Sequence, residues 1–350
     1  MKRSAGEGTV YQRKKDGPSA WAAQMFARNP DGTTKRLSAY GPSARAALAN
    51  VKAMVNEHER RTASTTMTLA DYLDYYLEQR TSEFRAGALS IRTIETYGTD
   101  IETHIKPGLG HIRLADLSPR HVQEWVARHL KSNSPAVTRK ARATLNTAME
   151  HALDLELLAR NPVPRKSRIR ETPPDIEVWT EAELYAFLKV AKERTRLYPV
   201  FYTAVVTGMR QGEILGLRWR DLDDELTTLY IRRALKRVKT RYRELARDGK
   251  GLEHLEGPFF LGPTKTPKSK REIPVPPDLA ALLVAHREEQ ARDRIYAGAK
   301  WRGYGLVFPT GHGSPQSARS VNRAMAACIA ASGVDAARFH DQRDLFASLM

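Results

Sequence analysis

The sequence predicts a multidomain α+β protein: a small three-stranded sheet with one helix, then an all-helical segment, then a mixed, mainly helical segment with a small β-sheet or hairpin. Turn clusters separate short strand-like runs near the start, apolar positions then recur at helical spacing, and Val/Ile-rich runs return beyond a proline-rich stretch. Boundaries are expected at residues 1–62, 66–160, a linker over 161–175, and 176–350. A chain of 350 residues exceeds one ordinary domain, so several are expected.

The first segment reads as Thr9-Val-Tyr-Gln-Arg, Trp21-Ala-Ala-Gln-Met-Phe-Ala and Thr34-Lys-Arg-Leu-Ser-Ala-Tyr, joined by Lys15-Asp-Gly-Pro and Asn29-Pro-Asp-Gly. Such Gly/Pro clusters are hairpin signals. A helix over 44–61 follows, with Leu48, Val51 and Val55 on its apolar side. In the second segment Thr68-x-x-Asp71 resembles a capping box ahead of Leu69, Tyr72, Leu73, Tyr76 and Leu77. Ser90 precedes a helix using Ile91, Ile94, Tyr97, Ile101 and Ile105, expected to end at Pro107-Gly-Leu-Gly. Ser118-Pro119 starts a third helix burying Val122, Trp125, Val126 and Leu130; a fourth runs over 135–158. The prolines of 161–175 mark a linker, and Thr180-x-x-Glu183 caps a helix bearing Leu184, Phe187, Leu188 and Ala191.

Charge points to the partner. Fifty-seven Lys+Arg against 40 Asp+Glu give a formal net charge of +17, which favours a polyanion, nucleic acid before membrane. Candidate DNA contacts are Arg13, Lys14, Lys15, Lys35 and Arg36 in the sheet segment and Arg139, Lys140 and Arg142 on the fourth helix. The linker adds Arg165, Lys166 and Arg168, and a later basic turn adds Lys268, Lys270 and Arg271. The single Cys328 lies in an Ala/Met/Ile run and reads as a small buried hydrophobe, which argues against a disulfide framework or a cysteine-based zinc site. No apolar run approaches the ~20 residues a membrane span needs, and the start lacks an apolar signal segment. The expectation is a cytoplasmic, nucleoid-associated protein with no membrane partner.

Three constellations carry chemistry. Thr207-Gly-Met-Arg210-Gln-Gly-Glu213-Ile-Leu-Gly-Leu217-Arg-Trp219 follows an apolar helix over 199–206 that Gly208 can end. Arg210 then sits at an elbow, three residues before a carboxylate able to orient it. Thr264-Lys265-Thr266-Pro-Lys268-Ser-Lys270-Arg271-Glu-Ile273-Pro-Val275 reads as a β-hairpin presenting lysines. His340 and Arg343 share one face near the start of a last helix. Each alone is a weak signal, because ion pairs and lysine turns are common on surfaces.

Together and in this order they resemble the tyrosine recombinases, the phage-integrase family of site-specific DNA recombinases. The segment order resembles that family's layout too: an arm-binding domain, a helical SAM-like core-binding domain and a catalytic domain. The resemblance implies that Arg210 and Arg343 clamp the non-bridging phosphate oxygens. It implies that Lys265, or else Lys268, protonates the leaving 5′ oxygen, that His340 assists, and that Glu213 orients the site. It further implies a 3′-phosphotyrosine intermediate, so no cofactor and no metal are expected. Implied partners are double-stranded DNA at core and arm attachment sites, other protomers in a tetramer, a directionality factor and a host DNA-bending protein.

The family's nucleophilic tyrosine follows its second arginine, whereas Tyr185, Tyr198, Tyr202, Tyr230, Tyr242, Tyr296 and Tyr304 all precede His340. These 350 residues are therefore expected to bind DNA without cutting it alone, as an integrase of a phage or mobile element lacking its tyrosine. The alternative is a truncated attachment-site binding protein that competes with or regulates an intact integrase. A type IB topoisomerase-like enzyme is a third reading, disfavoured by the separate arm-like segment. The charged stretch 236–256, with Arg241, Arg243, Arg247 and Lys250, is expected to be a solvated insertion, with an extra DNA contact as the alternative.

Overall fold

The computed structural model describes residues 8–13, 20–28, 33–166, 169, 179–264, 270–337 and 339. The chain divides into two compact units, residues 1–83 with 93–172 and residues 84–92 with 173–350.

The first unit opens with β1 (Thr9–Gln12), β2 (Trp21–Arg28) and β3 (Thr34–Gly41), antiparallel in the order β1-β2-β3. Side chains alternate across the pleat. Val10, Ala23, Met25, Leu37 and Ala39 therefore face one way, against Ala47, Leu48 and Val51 of α1 (Ala44–Thr66). Small alanines on both partners let helix and sheet approach closely. The helix runs past the expected residue 61.

The helical bundle follows. The Thr68–Asp71 box forms as expected: Thr68 N donates to Asp71 Oδ2 at 3.1 Å and Asp71 N to Thr68 Oγ1 at 3.2 Å, starting α2 (Leu69–Ala86). Such a cap is worth about 1 kcal/mol. α3 (Ile91–Thr99) continues through a π-turn over Asp100–Ile105, with Lys106 N bonded to Ile101 O, into α4 (Lys106–Leu109), which ends inside the expected Pro107-Gly-Leu-Gly with Gly110 as its C-cap. Pro107 sits in the first turn of α4, where a missing N–H is tolerated, and Ile101, Ile105 and Leu109 stay buried. α5 (Pro119–His129) and α6 (Pro135–Asp154) are capped by Ser118 and Ser134. Val122 and Trp125 are buried as expected, but Leu130 is exposed, since it falls at the helix's C-cap and leaves the apolar face. The start of the expected linker packs on this bundle: Val163 is buried, and Asn161 donates to Asn146 Oδ1.

In the second unit Thr180 and Glu183 form the expected capping box of α7 (Glu181–Arg194). α8 (Tyr198–Thr207), α9 (Gln211–Leu215), α11 (Pro277–Ala297) and α12 (Ala318–Ser332) build the main core with α7 around Phe187, Phe201, Ile214, Leu279 and Met325. Burying each such apolar side chain contributes roughly 1.5–3 kcal/mol. Cys328 belongs to this core, and burial raises its thiol pKa, as a packing residue requires.

The hairpin expected over 264–275 falls partly on residues outside those described; its described strand, β8 (Arg271–Pro274), does not pair with the preceding β7 (Phe259–Gly262). A strand has two edges, and β5 (Ala234–Arg237) and β6 (Glu253–Glu256) take both edges of β7. β8 instead pairs antiparallel with β4 (Thr228–Ile231). The insertion expected over 236–256 is folded and partly packed rather than wholly solvated. It supplies β5, the short α10 (Arg243–Arg247) and β6; it buries Tyr242, Ala246 and Leu255, the last against Leu261 and Leu306.

Candidate active site

The most specific motif folds as its residues dictate. Gly208 ends α8 in the left-handed region (φ 57°), where its lack of Cβ removes the penalty. The chain passes through Met209, buried in the core, and Arg210 becomes extended (φ −71°, ψ 146°) as the N-cap of α9. Glu213 reaches back to this cap, accepting Arg210 N–H at Oε2 (3.1 Å) and Arg210 Nη1 at Oε1 (2.9 Å). Its carboxylate is only 3% exposed, while the Arg210 side chain is 37% exposed. The arginine thus stands partly open to solvent on a buried anionic brace. Arg271 of β8 donates through Nη2 to Glu213 Oε2 at 3.3 Å. One carboxylate therefore holds two guanidiniums.

The elbow is fastened from below. β5 crosses α9 so closely that a Cβ on Gly216 would meet Leu235 N at 2.6 Å, and one on Gly212 would meet Leu235 O at 3.1 Å. Beyond α9, Arg218 N donates to the buried Asp221 Oδ2 at 3.0 Å, and Arg233 pairs with the same carboxylate. Trp219 donates Nε1–H to Gln290 Oε1 at 2.7 Å, beneath the Arg287 guanidinium. The final Trp of the motif is thus a structural anchor.

Of the expected catalytic residues, the structure describes Arg210 and Glu213 and brings them together with Arg271. Lys265, Lys268, His340 and Arg343 lie outside the described residues, as do Lys14, Lys15 and Arg168. Phe339, beside the His340 motif, is buried and packs on Phe201 with ring centroids 6.3 Å apart. Among the tyrosines, Tyr304 donates to Leu255 O at 3.0 Å, and burial raises the pKa of Tyr198, Tyr202 and Tyr304. A raised phenol pKa is the reverse of what activates a nucleophile.

The other basic candidates divide by their surroundings. Arg13 lies over the Tyr40 ring at 4.7 Å. Arg36 pairs with Phe26 across the sheet face opposite α1, whereas Lys35 alternates onto the α1 side. That outer face also carries Tyr11, Gln24 and Tyr40, with Phe26 65% exposed. The alternation of Phe26 and Tyr40 with core residues is the sequence signal for this aromatic outer face. Arg139 and Lys140 are exposed on α6, and Lys140 Nζ lies 4.0 Å from the buried Asp100. Arg142 instead donates to the Pro164 carbonyl, so it ties the bundle together rather than facing outward. Arg165, Lys166 and Lys270 are exposed, while Arg271 is turned toward Glu213. Among the described residues there is no cluster of metal-ligating side chains, and no helix is long and apolar enough to cross a membrane.

In chain order, an N-terminal sheet and a helical bundle precede a mixed unit whose elbow arginine is braced by a buried glutamate. Two family models match the chain: the phage integrase family over residues 177–350, and the phage integrase N-terminal SAM-like domain over residues 68–130. The chain belongs to the phage integrase family of tyrosine recombinases. It is 26% identical to an integrase of Streptomyces ambofaciens over all of this chain and 86% of that protein. Its fold is similar to the Tn1549 transposon integrase in complex with a circular intermediate DNA (TM-score 0.64, 16% identity, 81% of this chain and 86% of that one). It is also similar to a lambda integrase tetramer bound to a Holliday junction (TM-score 0.58, 19% identity, 97% and 90%).

Proposed function

We propose that this site-specific recombinase is the integrase of a phage or integrative mobile element, and that Arg210 clamps the scissile phosphate. The observation that carries this reading is the Arg210–Glu213 brace. A planar guanidinium fork matches two phosphate oxygens, and a buried carboxylate fixes where the fork points before DNA arrives. Charge building on the non-bridging oxygens during strand transfer meets a donor that needs no reorganisation. Arg343 would complete the clamp, Lys265 or Lys268 would protonate the leaving 5′ oxygen, and His340 would assist. The product of attack would be a 3′-phosphotyrosine.

Double-stranded DNA is the proposed partner, at core sites for the helical and catalytic domains and at arm sites for the sheet. The outer sheet face supports the arm assignment: Arg13, Arg36 and Gln24 lie among Tyr11, Phe26 and Tyr40, a mixture of phosphate donors and flat apolar groups. Solved relatives are described as a tetramer on a Holliday junction and as complexes with DNA, and assembly of four protomers is proposed here likewise. A directionality factor and a host bending protein would serve that assembly, and the bacterial cytoplasm is its proposed place.

We do not place the nucleophile at Tyr198, Tyr202 or Tyr304: burial raises the pKa of each phenol, and Tyr304 donates to Leu255 O at 3.0 Å. Incubation with a nicked duplex that traps covalent intermediates tests this. Retarded DNA with no adduct at these three tyrosines is expected; a denaturation-resistant adduct mapping to any of them overturns it.

A further inference from the structure

We infer that Arg271 is a positioning residue for Arg210, acting through the carboxylate that both share. This rests on the reading of Arg210 as the phosphate clamp.

Three observations point the same way. First, alternation along β8 puts Arg271 on the side of Ile273, which is buried in the main core. The side chain therefore starts inward. Second, its Nη2 reaches Glu213 Oε2 at 3.3 Å while Arg210 Nη1 holds Oε1 at 2.9 Å. The two guanidiniums divide the carboxylate between them, one oxygen each. Third, Glu213 is almost fully buried, so its charge needs compensation that a partly exposed Arg210 supplies incompletely.

The consequence concerns direction. A carboxylate facing one guanidinium draws it into a two-bond fork, because parallel N–H···O pairs are the strongest geometry available. With Oε2 held by Arg271 and by Arg210 N–H, the Arg210 guanidinium meets Oε1 through Nη1. Removing Arg271 would let Arg210 rotate inward onto both oxygens, turning its fork away from a phosphate. Arg271 also links β8 to the elbow, so displacement of that strand is felt at Arg210.

Affinity for a fixed duplex of defined sequence, measured against salt concentration, tests this in wild type, Arg210→Ala, Arg271→Ala, Arg271→Lys and the double alanine variant. Losing one phosphate contact lowers the log–log salt slope by about one. Arg210→Ala and Arg271→Ala are each expected to show that loss, and the double variant no more than Arg210→Ala alone. Arg271→Lys, which keeps a charge for Glu213, is expected to recover most of it. A double variant whose slope falls by about two puts Arg271 directly on DNA and overturns the inference. Wild-type binding by Arg271→Ala overturns it too. Should Arg271→Ala fail to fold, Arg271→Met keeps the apolar stem and takes its place.

Hydrogen exchange separates the two claims. If Arg210→Ala binds like wild type, the phosphate-clamp reading fails. The Arg271 inference is then decided by amide exchange over residues 208–216, which Arg271→Ala must accelerate and Arg271→Lys must restore. Unchanged exchange in that peptide contradicts it.

Discussion

Glu213 is the residue on which the site depends. A buried carboxylate with two cationic partners is stable only as a set, and removing the anion leaves two guanidiniums facing each other. Glu213→Ala is expected to lower unfolding stability by about 1–3 kcal/mol, read by denaturant titration, because both arginines retain some solvent. Glu213→Gln, which keeps the shape and one acceptor oxygen, should lose less. His286 of α11 makes a separate, pH-linked prediction. Its Nε2–H donates to Val307 O at 2.8 Å, while Nδ1 is buried and has no hydrogen-bond partner among the described residues. Burial depresses its pKa below 6.5, so the unfolded chain takes up a proton first as pH falls. Its stabilising contribution is complete above the ordinary histidine range and is lost as pH drops below 6.5 toward the folded value. Denaturation midpoints should fall between pH 7.5 and 5.5, and fall less in His286→Gln; equal falls in both proteins exclude His286 as the cause.

At the level of elements, the elbow works because glycine lets backbone meet backbone. Gly216 is pressed on β5, with Leu235 N only 2.6 Å from where a Cβ would stand. Gly216→Ala is expected to cost about 1–3 kcal/mol and to weaken DNA binding, since α9 must lift off the strand. A Gly216→Ala protein with wild-type stability would mean that α9 does not bear on β5. What could be read from sequence follows the same logic. The elbow was legible because Gly208, Arg210 and Glu213 lie within six residues and obey local capping rules. The Thr68 and Thr180 boxes were legible for the same reason. The Arg271–Glu213 contact was not, because it joins residues 58 apart through strand placement. The partners of β7 and β8 were not legible for a related reason. Nearness along the chain suggests a hairpin with β8, but sequence gives no count of which edges other strands have taken. The π-turn ahead of Pro107 was not legible, because it leaves no residue-type signature.

At the scale of the whole molecule, a net charge of +17 sets a field that brings DNA in, while a few placed donors decide what happens there. Binding should therefore weaken steeply with salt, with a slope reflecting several phosphate contacts. Removing the outer-face aromatics Phe26 and Tyr40 should reduce affinity for arm sequences with little change in that slope. At the site itself, Arg210 is proposed to contribute one charge-assisted phosphate contact from a preset position. The most direct test is the salt dependence of duplex binding by the wild-type chain and by Arg210→Ala. Both proteins are expected to fold alike, with a slope smaller by about one in the variant. Identical slopes and affinities would contradict it.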